Sequence, residues 1–129
     1  MILIDTHVLV WMELQPRKLS RKAASAINRA HTSDGLAISA ISLVELAGLV
    51  SRGRIRLPGS FEANIQQLIR GVTVKPITLD VAILTAHLPP DFPSDPMDRI
   101  IAATARAENL PLVTADERIL GCPLLKTIW

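Results

Sequence analysis

Four acidic residues stand at widely separated points of the chain, each where an apolar run ends or a helix begins. Asp5 follows Met1-Ile2-Leu3-Ile4, and Glu45 follows Ser42-Leu43-Val44. Asp98 lies in Asp95-Pro96-Met97-Asp98-Arg99, and Asp116 closes Leu112-Val113-Thr114-Ala115-Asp116. In a parallel α/β sheet, strand C-termini and helix N-termini share one edge, and ligand sites form there. The pattern therefore predicts that these carboxylates converge. Converging carboxylates repel one another and hold protons unless a hard cation neutralises them. An all-oxygen donor set suits Mg²⁺ or Mn²⁺ rather than Zn²⁺. The chemistry such ions serve best is hydrolysis of a phosphodiester.

Each acid also has a purely structural reading. Asp5 can cap the first helix, and Thr6 beside it is a second candidate cap. Asp95 has the N-cap position before Pro96. Asp98 sits in the first turn, where the helix dipole favours a carboxylate. Asp116 can cap the short helix after it. Ser42-x-x-Glu45 reads as a capping box, with Glu45 reaching back to the cap residue's N–H. Capping needs only an oxygen, however, so Ser, Thr or Asn would serve equally. A carboxylate at all four corners points to a cation. His7 either touches substrate or assists proton transfer, or it fills space in the first turn. Arg99 either faces a substrate phosphate or pairs with a neighbouring acid.

Competing chemistries find little support. The chain has no Gly-rich phosphate loop, no G-x-S-x-G elbow and no C-x-x-C. A phospho-acceptor site of the response-regulator kind wants adjacent acids after an early strand and a lysine at a late strand end. Here Asp116 holds that late place, and that reading is rejected.

The elements that must position these residues alternate along the chain. Continuous apolar or β-branched runs at 1–4, 36–39, 72–77, 110–114 and 124–128 read as buried strands. Helical spacing follows in Val8–Met12, in the segment capped by Ser20, and in the segment opened by Ser42. It recurs in the segment from Phe61 to Ile69, after the cap at Thr78, and after Asp95. Such alternation implies a single α/β domain over 1–129, a three-layer α/β/α sandwich around a central, mostly parallel sheet.

Composition sets the broad class. At 129 residues and 49% hydrophobic, the chain suffices for one core, with apolar surface left for a protein interface. The formal net charge of +2 is too small for an obligate DNA-binding field. Its basic residues are grouped, with Arg17, Lys18, Arg21, Lys22 and Arg29 in one cluster and Arg52, Arg54 and Arg56 in another. Arginine-rich groups suit phosphate contacts. The single cysteine, Cys122, excludes an intrachain disulfide and reads as a buried small side chain. With no signal-peptide pattern and no apolar run long enough to span a bilayer, a reduced cytoplasmic location away from the membrane is expected.

Taken together, four stretches in order resemble the PIN-domain family, and within it the VapC-like toxins of type II toxin–antitoxin modules. They are Leu3-Ile4-Asp5-Thr6-His7 with Trp11, Ser39 to Glu45, Asp95 to Ala102, and Leu112 to Asp116. The resemblance covers essentially the whole chain. It implies an α/β/α sandwich with a metal site formed by Asp5, Glu45, Asp98 and Asp116. It also implies that Asp95 lends a hydrogen bond or a further oxygen, and that Thr114 orients a neighbouring carboxylate or bound water. The implied activity is Mg²⁺- or Mn²⁺-dependent endoribonuclease cleavage leaving 5′-phosphate and 3′-hydroxyl ends. The implied partners are an RNA substrate, a cognate antitoxin and a second copy in a homodimer. Two alternatives stand beside it: a PIN nuclease of RNA processing without a toxin role, and a non-catalytic RNA-binding module whose acids are caps.

Overall fold

A computed structural model describes residues 1–129. Five strands form one sheet: β1 (Ile2–Ile4), β2 (Leu36–Ser39), β3 (Val72–Lys75), β4 (Leu112–Val113) and β5 (Thr127–Ile128). Their spatial order is β3-β2-β1-β4-β5, and every neighbouring pair is parallel. The register sets Leu3 opposite Ala37 on one side and Leu112 on the other. From β1 the chain builds outward through β2 to β3, then returns to the opposite side of β1 for β4 and β5. The topological switch point therefore lies between β1 and β4, and its crevice opens beyond their C-terminal ends.

Seven helices cover the two faces: α1 (Thr6–Leu14), α2 (Arg21–His31), α3 (Ala40–Ser51), α4 (Phe61–Leu68), α5 (Leu79–Thr85), α6 (Pro96–Ala107) and α7 (Glu117–Leu120). Strand alternation divides the core. Ile2 and Ile4 of β1 join Val8 and Leu9 of α1, the alanines of α2, Leu46 of α3 and Leu68 of α4 in one cluster. Leu3, facing the other way, joins Ala37, Leu112, Ile101 and Ala105 of α6, and Ile119 of α7. This is the expected three-layer sandwich, with a sheet that is wholly rather than mostly parallel.

Boundaries differ from expectation for local reasons. β3 stops at Lys75 because Pro76 has no N–H to continue a ladder. β5 starts only at Thr127, since the Cys122-Pro123 segment turns and the Leu125 N–H bonds the Cys122 carbonyl. Most consequential, α3 begins at Ala40 with Ser39 as its N-cap, not at Ser42. A 3-10 turn at Pro16–Lys18 separates α1 from α2. No helix is long and apolar enough to cross a membrane.

Candidate functional site

β1 ends directly at Asp5, whose carboxylate is 4% exposed beside the switch point. Burying a carboxylate is costly unless its oxygens are bonded. Here Oδ1 accepts from the Thr6 N–H at 2.8 Å, and Oδ2 accepts from Thr114 Oγ1 at 2.7 Å. Asp5 thus does cap α1, and Thr6 is the first helical residue rather than a cap. The second bond is the informative one, because it ties β1 to β4 across the switch point. Thr114, itself fully buried, also accepts from the Asp116 N–H at 3.1 Å. One hydroxyl therefore sets two of the predicted acids.

Glu45 departs from its structural reading. Since Ser39 caps α3, Ser42 lies inside the helix, fully buried, and the expected capping box does not form. Instead Thr6 Oγ1 donates to Glu45 Oε1 at 2.7 Å and lies 2.8 Å from Ser42 Oγ. Burial, partly offset by that hydrogen bond, raises the Glu45 carboxyl above the usual range, with Asp5 and Asp95 adding to the rise. Ser39 and Thr104 are buried behind the site, and their hydroxyls lie 3.3 Å apart, joining β2 to α6. Sequence reasoning gave Ser42 the capping role that belongs to Ser39, and it missed Thr104 as a partner behind the site. The one signal was a hydroxyl at a position that should be apolar.

α6 brings the third acid. Asp95 caps it, accepting from the Met97 N–H at 2.8 Å, and Pro96 occupies the first helical position. Asp98, one turn in, accepts no hydrogen bond from protein donors. Its carboxyl is raised to about 6, first by burial and then by Asp95, Asp5, Asp116 and Glu45. All the other acids of the pattern are thus within electrostatic reach of Asp98. Asp116 behaves oppositely. Arg118 holds it below the usual range through a two-point pair, Nε to Oδ1 at 3.1 Å and Nη2 to Oδ2 at 2.7 Å. Asp116 also caps α7 through the Arg118 N–H. The guanidinium lies 3.8 Å from Asp98 Oδ2 as well. It is 66% exposed and committed to Asp116, so it does not cancel the repulsion at Asp98.

His7 does more than fill space. Its Nε2 accepts from the Ala115 N–H at 3.2 Å, which leaves the ring proton on Nδ1, 3.5 Å from Asp5 Oδ2. The ring pins the β4–α7 connection to the start of α1. Arg99 forms no ion pair with a neighbouring acid. It donates to the carbonyls of Thr85 and Phe92 and lies over the Phe92 ring, anchoring the proline-rich loop to α6. Adjacent helical residues point about 100° apart, so Arg99 is not directed where Asp98 is.

The carboxylates share one edge but form no ready-made ligand cage: no three His, Cys, Asp or Glu side chains stand in an arrangement that would hold a metal ion. Asp5, Glu45 and Asp116 turn oxygens toward hydroxyl, amide and guanidinium donors, and Asp98 accepts no hydrogen bond. In kind, the donor set fits a hard divalent cation. It is all oxygen, and burial together with the surrounding carboxylates raises Asp98 to about 6. A groove of about 270 Å³ opens beside Glu45, floored by Val44, Leu49 and Met97 and flanked by Arg52.

Comparison with known proteins gives the family and the fold. A family model described as "PIN domain" matches residues 2–121. Ribonuclease VapC22 of Mycobacterium tuberculosis is 41% identical over 130 residues, covering 99% of this chain and 98% of that protein. The crystal structure of VapBC2 from Rickettsia felis, bound to a DNA fragment from its promoter, superposes with a TM-score of 0.77 at 20% identity. It spans 98% of this chain and 97% of that one. The DNA-bound VapBC of Salmonella typhimurium gives 0.72 at 20% identity, over 98% and 97% of the two chains. At such identities the two structures establish the fold.

Proposed function

Because the chain belongs to the PIN-domain family, we propose that it is a metal-dependent endoribonuclease and the toxin of a type II toxin–antitoxin module. The observation that carries this reading is Asp98, raised to about 6 by burial and by four surrounding carboxylates at the switch point of a parallel sheet. An acid so placed favours a cation. Asp5, Glu45, Asp98 and Asp116 would hold Mg²⁺ or Mn²⁺, with Asp95 alongside. The bound ion supplies charge stabilisation on the phosphate and acidity to water. Whole-chain identity to a protein named a ribonuclease, and likeness in fold to toxin–antitoxin complexes, support the substrate class and the cellular role.

The protein's own residues divide the remaining work. Thr114 fixes the Asp5 carboxylate and the Asp116 backbone, so those acids are oriented before any ligand arrives. Thr6 does the same for Glu45. Asp98, raised to about 6, has its charged form favoured by a cation beside it. His7 keeps the β4–α7 connection against Asp5. Hydrolysis by water, rather than internal attack by a 2′-hydroxyl, leaves 5′-phosphate and 3′-hydroxyl ends. An antitoxin and a second copy are the protein partners of this reading. Leu79, 75% exposed, with Ile83 and Ile77 nearby in sequence, offers apolar surface for such a contact. The working compartment is the cytoplasm, where RNA is met.

The test is inducible expression in a bacterial host, wild type beside Asp98→Asn, with new RNA 5′-phosphate ends mapped after induction. The reading expects growth arrest and a few sharp new ends with the wild type only, both suppressed by co-expression of the neighbouring small open reading frame. Sharp ends without arrest would move the protein to RNA processing. Identical behaviour of the two proteins would leave the acids as caps.

A further inference from the structure

The chain has four aromatic residues of the Phe, Trp and Tyr kind, two Trp and two Phe. Both tryptophans gather at one place beside the candidate site. His7, which contacts Asp5 and Ala115, stands edge-on to Trp11 with ring centroids 4.8 Å apart at 62°. Trp11 in turn meets Trp129 at 5.8 Å and 54°. Trp129 follows β5, so it too lies at the carboxyl edge of the sheet. Trp129 packs on the core cluster that α1 and α2 cover, whereas Trp11 packs on neither core. Trp11 is thus partly exposed and reaches the core only through Trp129, which leaves part of a large, flat ring beside the site open to a ligand.

Cations outnumber acids from Trp11 to Lys22, where Glu13 is the one carboxylate. Lys18 Nζ lies 5.3 Å over the Trp11 ring. Arg17, Arg21 and Lys22 are exposed close by in the chain, and none of these four cations pairs with an acid. A flat aromatic face with unpaired cations beside it is how proteins take up single-stranded nucleic acid. Along α1, Trp11 stands roughly 9 Å from Asp5, which sets it at a neighbouring nucleotide rather than at the bond being cut.

We propose that Trp11, buttressed by His7 and Trp129, is a stacking platform for an RNA base flanking the cleaved phosphate, with Lys18 moving from the ring to the adjoining phosphate. This rests on the reading of the site as a ribonuclease and adds a residue that places the strand without touching the reacting atoms. Stacking tolerates any base, so the platform positions RNA and leaves sequence choice to other contacts.

The chain has no tyrosine, and Trp11 and Trp129 are its only tryptophans, so intrinsic fluorescence reports this cluster alone. The test titrates the unmodified protein, free of divalent metal, with a random-sequence single-stranded RNA pool and with an abasic oligomer of equal length. Quenching by the normal RNA, with affinity about 10-fold above that for the abasic strand, is the expected result. Trp11→Ala should erase that difference while keeping the salt dependence, and Trp11→Phe should restore most of it. Equal affinity for the two strands with unmoved fluorescence would overturn the platform and return Trp11 to a protein contact. A parallel assay with Mg²⁺ separates the two ideas. Cleavage without base-dependent quenching leaves the nuclease and removes the platform. Base-dependent quenching without cleavage leaves the platform and removes the nuclease.

Discussion

The two halves of the carboxylate edge are built on opposite terms. Between β1 and β4, every acid already has its partners. Asp5 takes a backbone N–H and the Thr114 hydroxyl, and Asp116 takes Arg118. On the α6 side, Asp98 has repulsive neighbours and no hydrogen bond, and its carboxyl rises to about 6. The first half is a finished scaffold, its carboxylates already satisfied by donors of the protein. The second stores electrostatic cost that a cation would relieve. A purely structural site would have spread that cost or replaced Asp98 with an amide.

Changes on the strained side should move activity most. Asp98→Asn is expected to lower RNA cleavage by roughly 10³-fold, since a metal-holding carboxylate contributes several kcal/mol to the transition state. Steady-state cleavage beside a thermal melt checks it, because folding should be intact.

Changes on the finished side should cost stability as well. Thr114→Val removes the short bond to Asp5 Oδ2, leaving it only His7 Nδ1 at 3.5 Å, and strips the Asp116 N–H of its partner. A loss of about 1–3 kcal/mol is expected, with metal affinity lowered about 10–100-fold. Urea unfolding and metal titration measure the two. Full retention of both would show that the scaffold does not depend on this hydroxyl.

Acidity distinguishes the halves by sign. The folded carboxyl of Asp98, at about 6, lies above its ordinary 3.8, so the native state binds the extra proton in that window. Stability of the metal-free protein is therefore greatest near the low end and falls as pH rises through about 6. Glu45, also raised, works in the same sense. Asp116, held low by Arg118, works oppositely and loses its contribution only as pH falls below the ordinary 3.8. Melts from pH 4.5 to 8 should show the decline, Asp98→Asn should flatten it, and added Mn²⁺ should stabilise at pH 8 more than at pH 5.

The smallest effect belongs to Arg118. Its exposed pair with Asp116 is worth little to stability. Arg118→Ala should leave the melting temperature within about 1 °C and raise metal affinity slightly at low salt by freeing the Asp116 oxygens. Reduced affinity, measured by calorimetry, would mean that Arg118 orients Asp116 for the ion.

Much of this was legible in the sequence. The buried run ending in Asp5, and Asp95-Pro96 opening α6, placed two acids correctly because strand burial and helix capping are local effects. The capping box read at Ser42 and Glu45 does not form. Ser39 and Ser42 both offer a hydroxyl near the end of β2, and only the strand's length decides which one caps. Once Ser39 takes that role, Ser42 and Glu45 turn inward to Thr6, a partner distant in sequence that no local rule supplies. The ion pair expected for Arg99 does not form because sequence adjacency to Asp98 is not adjacency in space on a helix. The hydroxyls behind the acids were invisible, since a buried Thr or Ser is recognised only once its partner is known.

The most direct measurement incubates purified wild type and Asp98→Asn with end-labelled RNA, metal-free or with Mg²⁺ or Mn²⁺, and identifies the product ends. The account predicts cleavage by the wild type only, only with the ion, leaving 5′-phosphate and 3′-hydroxyl ends. Metal-free cleavage, or 2′,3′-cyclic phosphate ends, would contradict it.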